Sequence, residues 1–187
     1  MPATEEQYLE YDRAAEFRSE FLDGEIVAMS GGSRRHSRLK MNLHGLVYAA
    51  LRDTSCEAFN SDLRVRASSR LYTYPDLTIV CGKPMPSDDR QDILLNPTVI
   101  FEVLSPSTES YDRGLKLQSY RSIDSLQDYI LVAQDQVRVE QYTRGEANTW
   151  TFRDYQGADA TLAITSIGVS LPLAGIYERV EFPPELS

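Results

Sequence analysis

The sequence predicts an α/β chain: a mixed sheet flanked by helices, extended by further antiparallel strands. Three observations carry that expectation. A helical period runs across residues 34–52, where Leu39, Leu43, Leu46, Val47, Ala50 and Leu51 recur on one face. The stretch "NPTVIFEVLSPST" at 96–108 holds a short apolar strand of the kind buried on both faces. Three later runs, "DYILVAQ", "VRVEQYTR" and "TWTFRDY", read as an antiparallel series. The length of 187 residues suits one domain, 1–187, with a full core.

Taken in order, Thr4 and Gln7 form a capping-box signature, so a short helix opens the chain. "EFLDGEIVAM" reads as a hairpin about Asp23-Gly24. "SGGS" at 30–33 breaks the chain, and Ser33 is placed to cap the helix over 34–52. The first turn of that helix carries Arg34, Arg35 and His36, with Arg38 just after. "LRVRA" (63–67) alternates apolar residues with Arg64 and Arg66. In "LYTYPDLTIVCG" (71–82), Pro75 lacks a donor, which puts the strand proper at 76–81 with Asp76 at its mouth. Residues 83–95 read as a polar loop and 98–104 as the apolar strand. Thr108 is placed to cap a helix over 109–122, and "LAGIYERV" reads as a short closing helix.

The composition, 42% hydrophobic and 25% charged, is that of an ordinary soluble globular protein. No apolar run approaches the roughly 20 residues of a membrane span. The acidic opening "MPATEEQYLEYDR" lacks the apolar segment of a secretion signal, so a cytoplasmic location is expected. Cys56 and Cys81 fit neither a disulfide framework nor a zinc cluster and read as buried thiols. A net charge of −9 argues against a protein that coats nucleic acid. The charge is uneven, however. Residues 34–70 carry eight Lys/Arg against three acids, which permits a local basic face; a solvated helix and a polar strand face give the same count.

Glu102 is the residue that needs a reason. Strand side chains alternate, so it shares a face with Ile100 and Leu104. A carboxylate there is costly unless it is paired or bound to a cation. An arginine partner would satisfy it. So would a hard cation such as Mg²⁺, which takes one or two carboxylates with waters or phosphate oxygens. Asp76 is the obvious second ligand if the two strands pair; alone it reads as a turn acid after Pro75. Asp112, Lys116 and Tyr120 follow at four-residue steps on one helical face, a pattern that also describes a surface Asp–Lys pair.

These residues resemble a known group. Pro75-Asp76, then Glu102 inside an apolar strand, resembles the PD-(D/E)XK nuclease superfamily. More narrowly, "EFLDGEIVAMSGGSRRHSRL", "YPDLTIV", "VIFEVLSPSTESYDRGLKLQSYRSI" and "DYILVAQDQVRVEQYTR" resemble the Uma-two family of restriction endonucleases. The resemblance implies a restriction-endonuclease-like core in which Asp76, Glu102 and the carbonyl of Val103 hold Mg²⁺ (or Mn²⁺). The superfamily's usual lysine, which orients water or stabilises developing charge, lies two positions after the acid. Here that position is Leu104, and Lys116 on the next helix is the candidate replacement. Asp112 and Tyr120 would then flank the catalytic groups, and the resemblance also places Glu25 near them. His36 is a candidate phosphate contact at a helix N-terminus, while His44, among apolar neighbours, reads as packing. Arg34, Arg35, Arg38, Arg64 and Arg66 are candidate contacts to a nucleic-acid backbone.

The expected function is metal-dependent hydrolysis of phosphodiester bonds, in DNA, by a homodimer suited to cutting both strands of a duplex. One rival is a nuclease-fold module that has lost its chemistry and binds nucleic acid or protein; Leu104 and the net charge favour it. The other is a glycosidase-like acid pair, for which sugar-stacking aromatics are lacking, since Trp150 is the only Trp and lies far downstream.

Overall fold

In the computed structural model, which describes residues 1–29 and 31–182, Thr4 and Gln7 cap helix α1 (Glu5–Ala14) reciprocally. Ser30, the first residue of the expected chain break, lies outside the described residues. Strands β1 (Ser19–Leu22) and β2 (Glu25–Ala28) form the hairpin, with Asp23 and Gly24 at φ 51° and 91°. A two-residue turn that matches the strand twist requires positive φ at both positions, which Asp-Gly supplies. Ser33 accepts the His36 N–H and starts α2 (Arg34–Leu51), whose buried face is Leu39, Leu43, Val47 and Leu51.

The remaining strands are β3 (Cys56–Asn60), β4 (Arg64–Ser68), β5 (Leu71–Thr73), β6 (Leu77–Cys81), β7 (Ile93–Leu94), β8 (Val99–Val103), β9 (Asp128–Val132), β10 (Arg138–Arg144), β11 (Trp150–Gln156), β12 (Thr161–Ile164) and β13 (Val169–Pro172). They make a five-stranded sheet, β2-β1-β5-β4-β7, a six-stranded sheet, β11-β10-β9-β8-β6-β3, and the hairpin β12-β13. The larger sheet is mixed, as expected: β8 runs antiparallel to β6 and parallel to β9. A parallel pair needs a long crossover. It contains α3 (Glu109–Tyr111), a π-helical turn (Asp112–Lys116) and α4 (Leu117–Tyr120).

Strand β8 has no solvated face. Val99, Phe101 and Val103 pack with α2 and with β12–β13, which leads into α5 (Leu173–Ile176). Ile100 and Leu104 pack with Tyr120, Ile123 and Leu126 of the crossover and with Val65, Leu71 and Leu94 of the smaller sheet. Two cores therefore meet on one strand, which is why its sequence is nearly all apolar. A third cluster, Tyr8, Phe21, Tyr72 and Ile93, seats α1 on the smaller sheet.

Four expectations are corrected. The loop 83–95 contains β7, which pairs parallel with β4. Thr108 makes no side-chain cap; Ser105 Oγ accepts the Thr108 N–H instead. The helix over 109–122 is not continuous α-helix but is widened by the π turn. Cys56 and Cys81 are not thiols: they stand opposite one another in the β3–β6 register and are joined by a disulfide. Their separation of 25 residues gives no hint of this, because register, not spacing, sets which residues face each other across strands.

Candidate active site

Asp76 immediately precedes β6, one step beyond the Leu77–Phe101 pair, which sets it beside Glu102. Its Oδ2 accepts the Val103 N–H at 2.7 Å, so a side chain supplies a rung where the β6 backbone has ended. A strand residue sends its N–H and C=O to the same side, so the Val103 carbonyl also faces the Asp76 side. Two groups from α2 reach the other oxygen: Lys40 Nζ lies 2.9 Å and His36 Nε2 3.3 Å from Asp76 Oδ1. Burial alone would push the Asp76 carboxyl up. The His36 contact, the Lys40 ammonium and the Val103 N–H outweigh it and hold the group at about 2.

Glu102 is buried on the opposite face of β8 from Val103, as alternation demands. Its Oε1 receives the Lys116 ammonium at 3.0 Å and the Tyr120 hydroxyl at 3.1 Å. The same Lys116 Nζ lies 3.2 Å from Glu20 Oε1 on β1 and 3.2 Å from Asp112 Oδ1, the latter without hydrogen-bond alignment. One ammonium thus faces three acids, all with little exposure. Burial pushes the Glu102 carboxyl up, and Asp112, Asp76 and Glu20 add to the effect; Lys116 opposes it, and the result is about 8. For Lys116 itself burial works against the charge, but Glu102, Glu20, Tyr120 and Asp112 raise its pKa well above the ordinary lysine value. The two shifts point the same way: they favour a charged lysine and a Glu102 that holds its proton more tightly than an ordinary carboxyl.

The π turn matters to this arrangement. It spans Asp112 to Lys116, both buried, so the widened turn carries both charged ends into the same cluster. The Tyr129 hydroxyl pins it by donating to the Asp112 carbonyl at 3.1 Å. Turns of this kind occur frequently at functional sites. The acids, Lys40, Lys116 and His36 line one cleft of about 1020 Å³, walled by the β1–β2 hairpin, α2, the loop after β8 and the crossover, with Tyr120 and Tyr129 buried behind it.

A family model described as "Uma2: Putative restriction endonuclease" matches residues 5–174. The chain belongs to the Uma2 family. Two Synechocystis proteins, slr1290 and sll1609, are each 36% identical to it. The first match covers 95% of this chain and 92% of the relative, the second 85% and 90%. A crystal structure from Anabaena variabilis, titled as "a putative nuclease belonging to DUF820", superposes with a TM-score of 0.78 over 94% of this chain and 98% of that one. At 18% identity that likeness establishes the fold alone, a mixed sheet flanked by helices.

In this Uma2 chain the sequence-expected residues divide cleanly. Asp76, Glu102, Val103, Lys116, Asp112, Tyr120 and His36 all line or border the cleft. His36 gets there through its side chain, aimed at Asp76, rather than through the helix N-terminus. Glu25 does not converge: it is exposed on β2, and the acid that the hairpin contributes is Glu20. Arg64 is corrected too. It is buried, bound to Asp12 and Asp92 and hydrogen-bonded to Tyr74, so it is unavailable to a ligand. Arg66 pairs with Glu5 over the Tyr72 ring. Arg34 and Arg38 are exposed on α2, and Arg35 donates to the Glu181 carbonyl. Leu104 sits in the core beside Ile100 and Tyr120.

Sequence reasoning missed four groups: Glu20, Lys40, His44 and Gln134. His44, expected as packing, places Nε2 2.9 Å from the Asp76 carbonyl oxygen. A signal was present, since His36, Lys40 and His44 recur at four-residue steps and must share one side of α2. Gln134 touches His36, Ser33 and the Leu104 carbonyl, tying the start of α2 to the end of β8; nothing in its local sequence marks it.

Proposed function

We propose that this Uma2 protein hydrolyses phosphodiester bonds in DNA with the help of Mg²⁺ or Mn²⁺. The observation that carries the proposal is Glu102: a buried carboxylate set beside Asp76 on one side and bonded to Lys116 on the other. The donor set suits a hard cation. Among the described residues no group of three or more His, Cys, Asp or Glu is placed to hold a metal, but Mg²⁺ needs only one or two carboxylates, the rest of its shell being water and phosphate. Charge supports the fit as well. Glu20, Asp76 and Asp112 face two ammonium groups, Lys40 and Lys116, which leaves an excess of one negative charge in the cleft, and of two once Glu102 gives up its proton to a cation. Asp76, Glu102 and the Val103 carbonyl would hold the cation.

Once bound, the cation would polarise the phosphate and acidify water. The chain's own groups do the rest. Lys116, held by three acids and the Tyr111 ring 5.2 Å away, stabilises the charge that develops on the phosphoryl oxygens. Tyr120 orients Glu102 through its hydroxyl, and Thr73 holds that hydroxyl in turn at 2.7 Å. Lys40, 2.9 Å from Asp76, would be the ammonium left to meet the phosphate if Asp76 held the cation. Cleavage of plasmid and oligonucleotide substrates tests the reading. Wild type should cut with Mg²⁺ or Mn²⁺ and stop in chelator; Asp76→Asn and Glu102→Gln should abolish cutting, and Lys116→Ala should reduce it about 10²–10³-fold. Normal cutting by Lys116→Ala would remove the lysine from the mechanism and leave the metal site standing.

Leu104 favours a second reading, in which the same cleft binds nucleic acid or protein without chemistry, because the usual lysine position is spent on packing. Full metal occupancy with no cleavage of any nucleic acid would select it. A homodimer would bring two such clefts together, and sedimentation analysis checks it. A cytoplasmic location goes with a DNA substrate. Counting free thiols in protein taken directly from cells tests that, since a reducing compartment disfavours the Cys56–Cys81 bridge. Among the described residues no helix is long and apolar enough to cross a membrane.

A further inference from the structure

The outward face of α2 differs from the rest of this acidic surface. Opposite the buried stripe Leu39, Leu43, Val47 and Leu51, the 3.6-residue period brings Arg34, Arg38, Met41, Gly45, Tyr48 and Arg52 together, and all six are exposed. Met41 is 65% and Tyr48 70% exposed, more than an ordinary solvated face invites. None of the three arginines has a carboxylate partner among the described residues, although the chain carries a net charge of −9. The strip also joins the cleft, because Ser37 and Met41 form part of its wall.

We propose that this strip is the track for an unpaired nucleic-acid strand, and that single-stranded DNA or a single-stranded end is the substrate that reaches Asp76 and Glu102. The proposal rests on the nuclease reading above and narrows it. Three arguments carry it. First, arginines interleaved with a flat aromatic and a flexible thioether offer phosphate contacts and a stacking platform, the combination that single strands use and that a duplex, with its bases paired inside, cannot. Second, the catalytic groups are deep: Asp76, Glu102 and Lys116 are 8%, 5% and 5% exposed. A thin strand can carry a phosphate into such a cleft more readily than a stiff double helix. Third, the far end of the strip is unfriendly to a second phosphate backbone. Beside Tyr48 the surface dips into a recess lined by Arg52, Asp53 and Glu57, whose carboxylates repel phosphate but can accept the amino group of a base. From Arg34 to Arg52 the helix covers roughly 27 Å, enough for several nucleotides of extended strand.

The test is fluorescence anisotropy of 5′-labelled 12-mer oligonucleotides, single-stranded or duplex, on the Glu102→Gln protein, with cleavage assays on wild type. The single strand should bind at least 10-fold more tightly. Tyr48→Ala should weaken it at least 5-fold, Tyr48→Phe should restore it, and Arg34→Ala or Arg38→Ala should each reduce the salt slope by roughly 0.7. These are changes at exposed positions of the helix, and circular dichroism checks that the fold is intact. Equal binding of duplex and single strand, or an unchanged Kd in Tyr48→Ala, overturns the proposal. The two readings fail separately. Duplex cut as well as single strand, with Tyr48→Ala cutting at wild-type kcat/KM, sinks the track and spares the nuclease. Binding that follows the strip while no substrate is cut spares the track and sinks the nuclease.

Discussion

At the scale of single residues the cleft is governed by how many carboxylates one lysine can hold. Lys116 faces Glu20, Glu102 and Asp112, and Glu102 is the one whose carboxyl is pushed up, from an ordinary 4.5 to about 8. Its folded pKa lies above its unfolded one, so the folded metal-free protein binds an extra proton between those two values. That contribution to stability is complete below about pH 4.5 and is lost as pH rises through about 8. A cation at Glu102 must displace the proton. Mg²⁺ or Mn²⁺ binding at neutral pH should therefore release close to one proton, with apparent affinity rising with pH across the window. Calorimetry in buffers of different ionisation enthalpy measures this, and Glu102→Gln should abolish the release. Asp76 behaves oppositely: held at about 2, it adds stability that is present above the ordinary carboxylate value and disappears only in strong acid. The sequence announced Glu102 because a charge inside an apolar run has no cheap explanation. It could not announce Glu20, an acid in a hairpin that reads like any other and reaches Lys116 only through the pairing of β1 with β5.

At the scale of elements, the strands around the site were legible where a pattern was strong and local. The capping box, the Asp-Gly hairpin, the amphipathic α2 and the β9-β10-β11 series all stand where the sequence put them. The two-residue β7 and the π turn were not legible, since neither has a periodicity of its own and each exists because of what it packs against. Arg64 shows the same limit. In sequence it alternates with Arg66 like an exposed strand residue; in space α1 covers it, its Nε donates to Asp12 and Tyr74, and Asp12 and Asp92 balance its charge. It is a pin between α1, β4 and the loop before β7. Arg64→Ala leaves Asp12 buried without its cation and should destabilise the protein by about 3–5 kcal/mol in urea unfolding. Its effect on the salt slope of nucleic-acid binding should be nil. A reduced slope with unchanged stability would return Arg64 to the binding face.

At the scale of the whole molecule, β8 is the hub, with both cores on its two faces and the site at its end. The Cys56–Cys81 bridge ties β3 to β6 at the far side of the same sheet, closing a loop of 25 residues. Reduction should lower unfolding stability by about 3.5 kcal/mol if the cost is chain entropy. An unchanged midpoint with dithiothreitol would mean that pairing alone holds β3. The sheet has one more cross-link, and it lies at the candidate site: the Asp76 carboxylate receives the Val103 N–H that no β6 backbone remains to meet. Asp76→Ala would leave that N–H buried and unmet, whereas Asp76→Asn can still accept it through its side-chain carbonyl. Position 76 is therefore under a folding constraint that is independent of any chemistry: whatever the cleft does, the end of β8 needs an acceptor here, and Asp and Asn are the side chains that supply it at this reach.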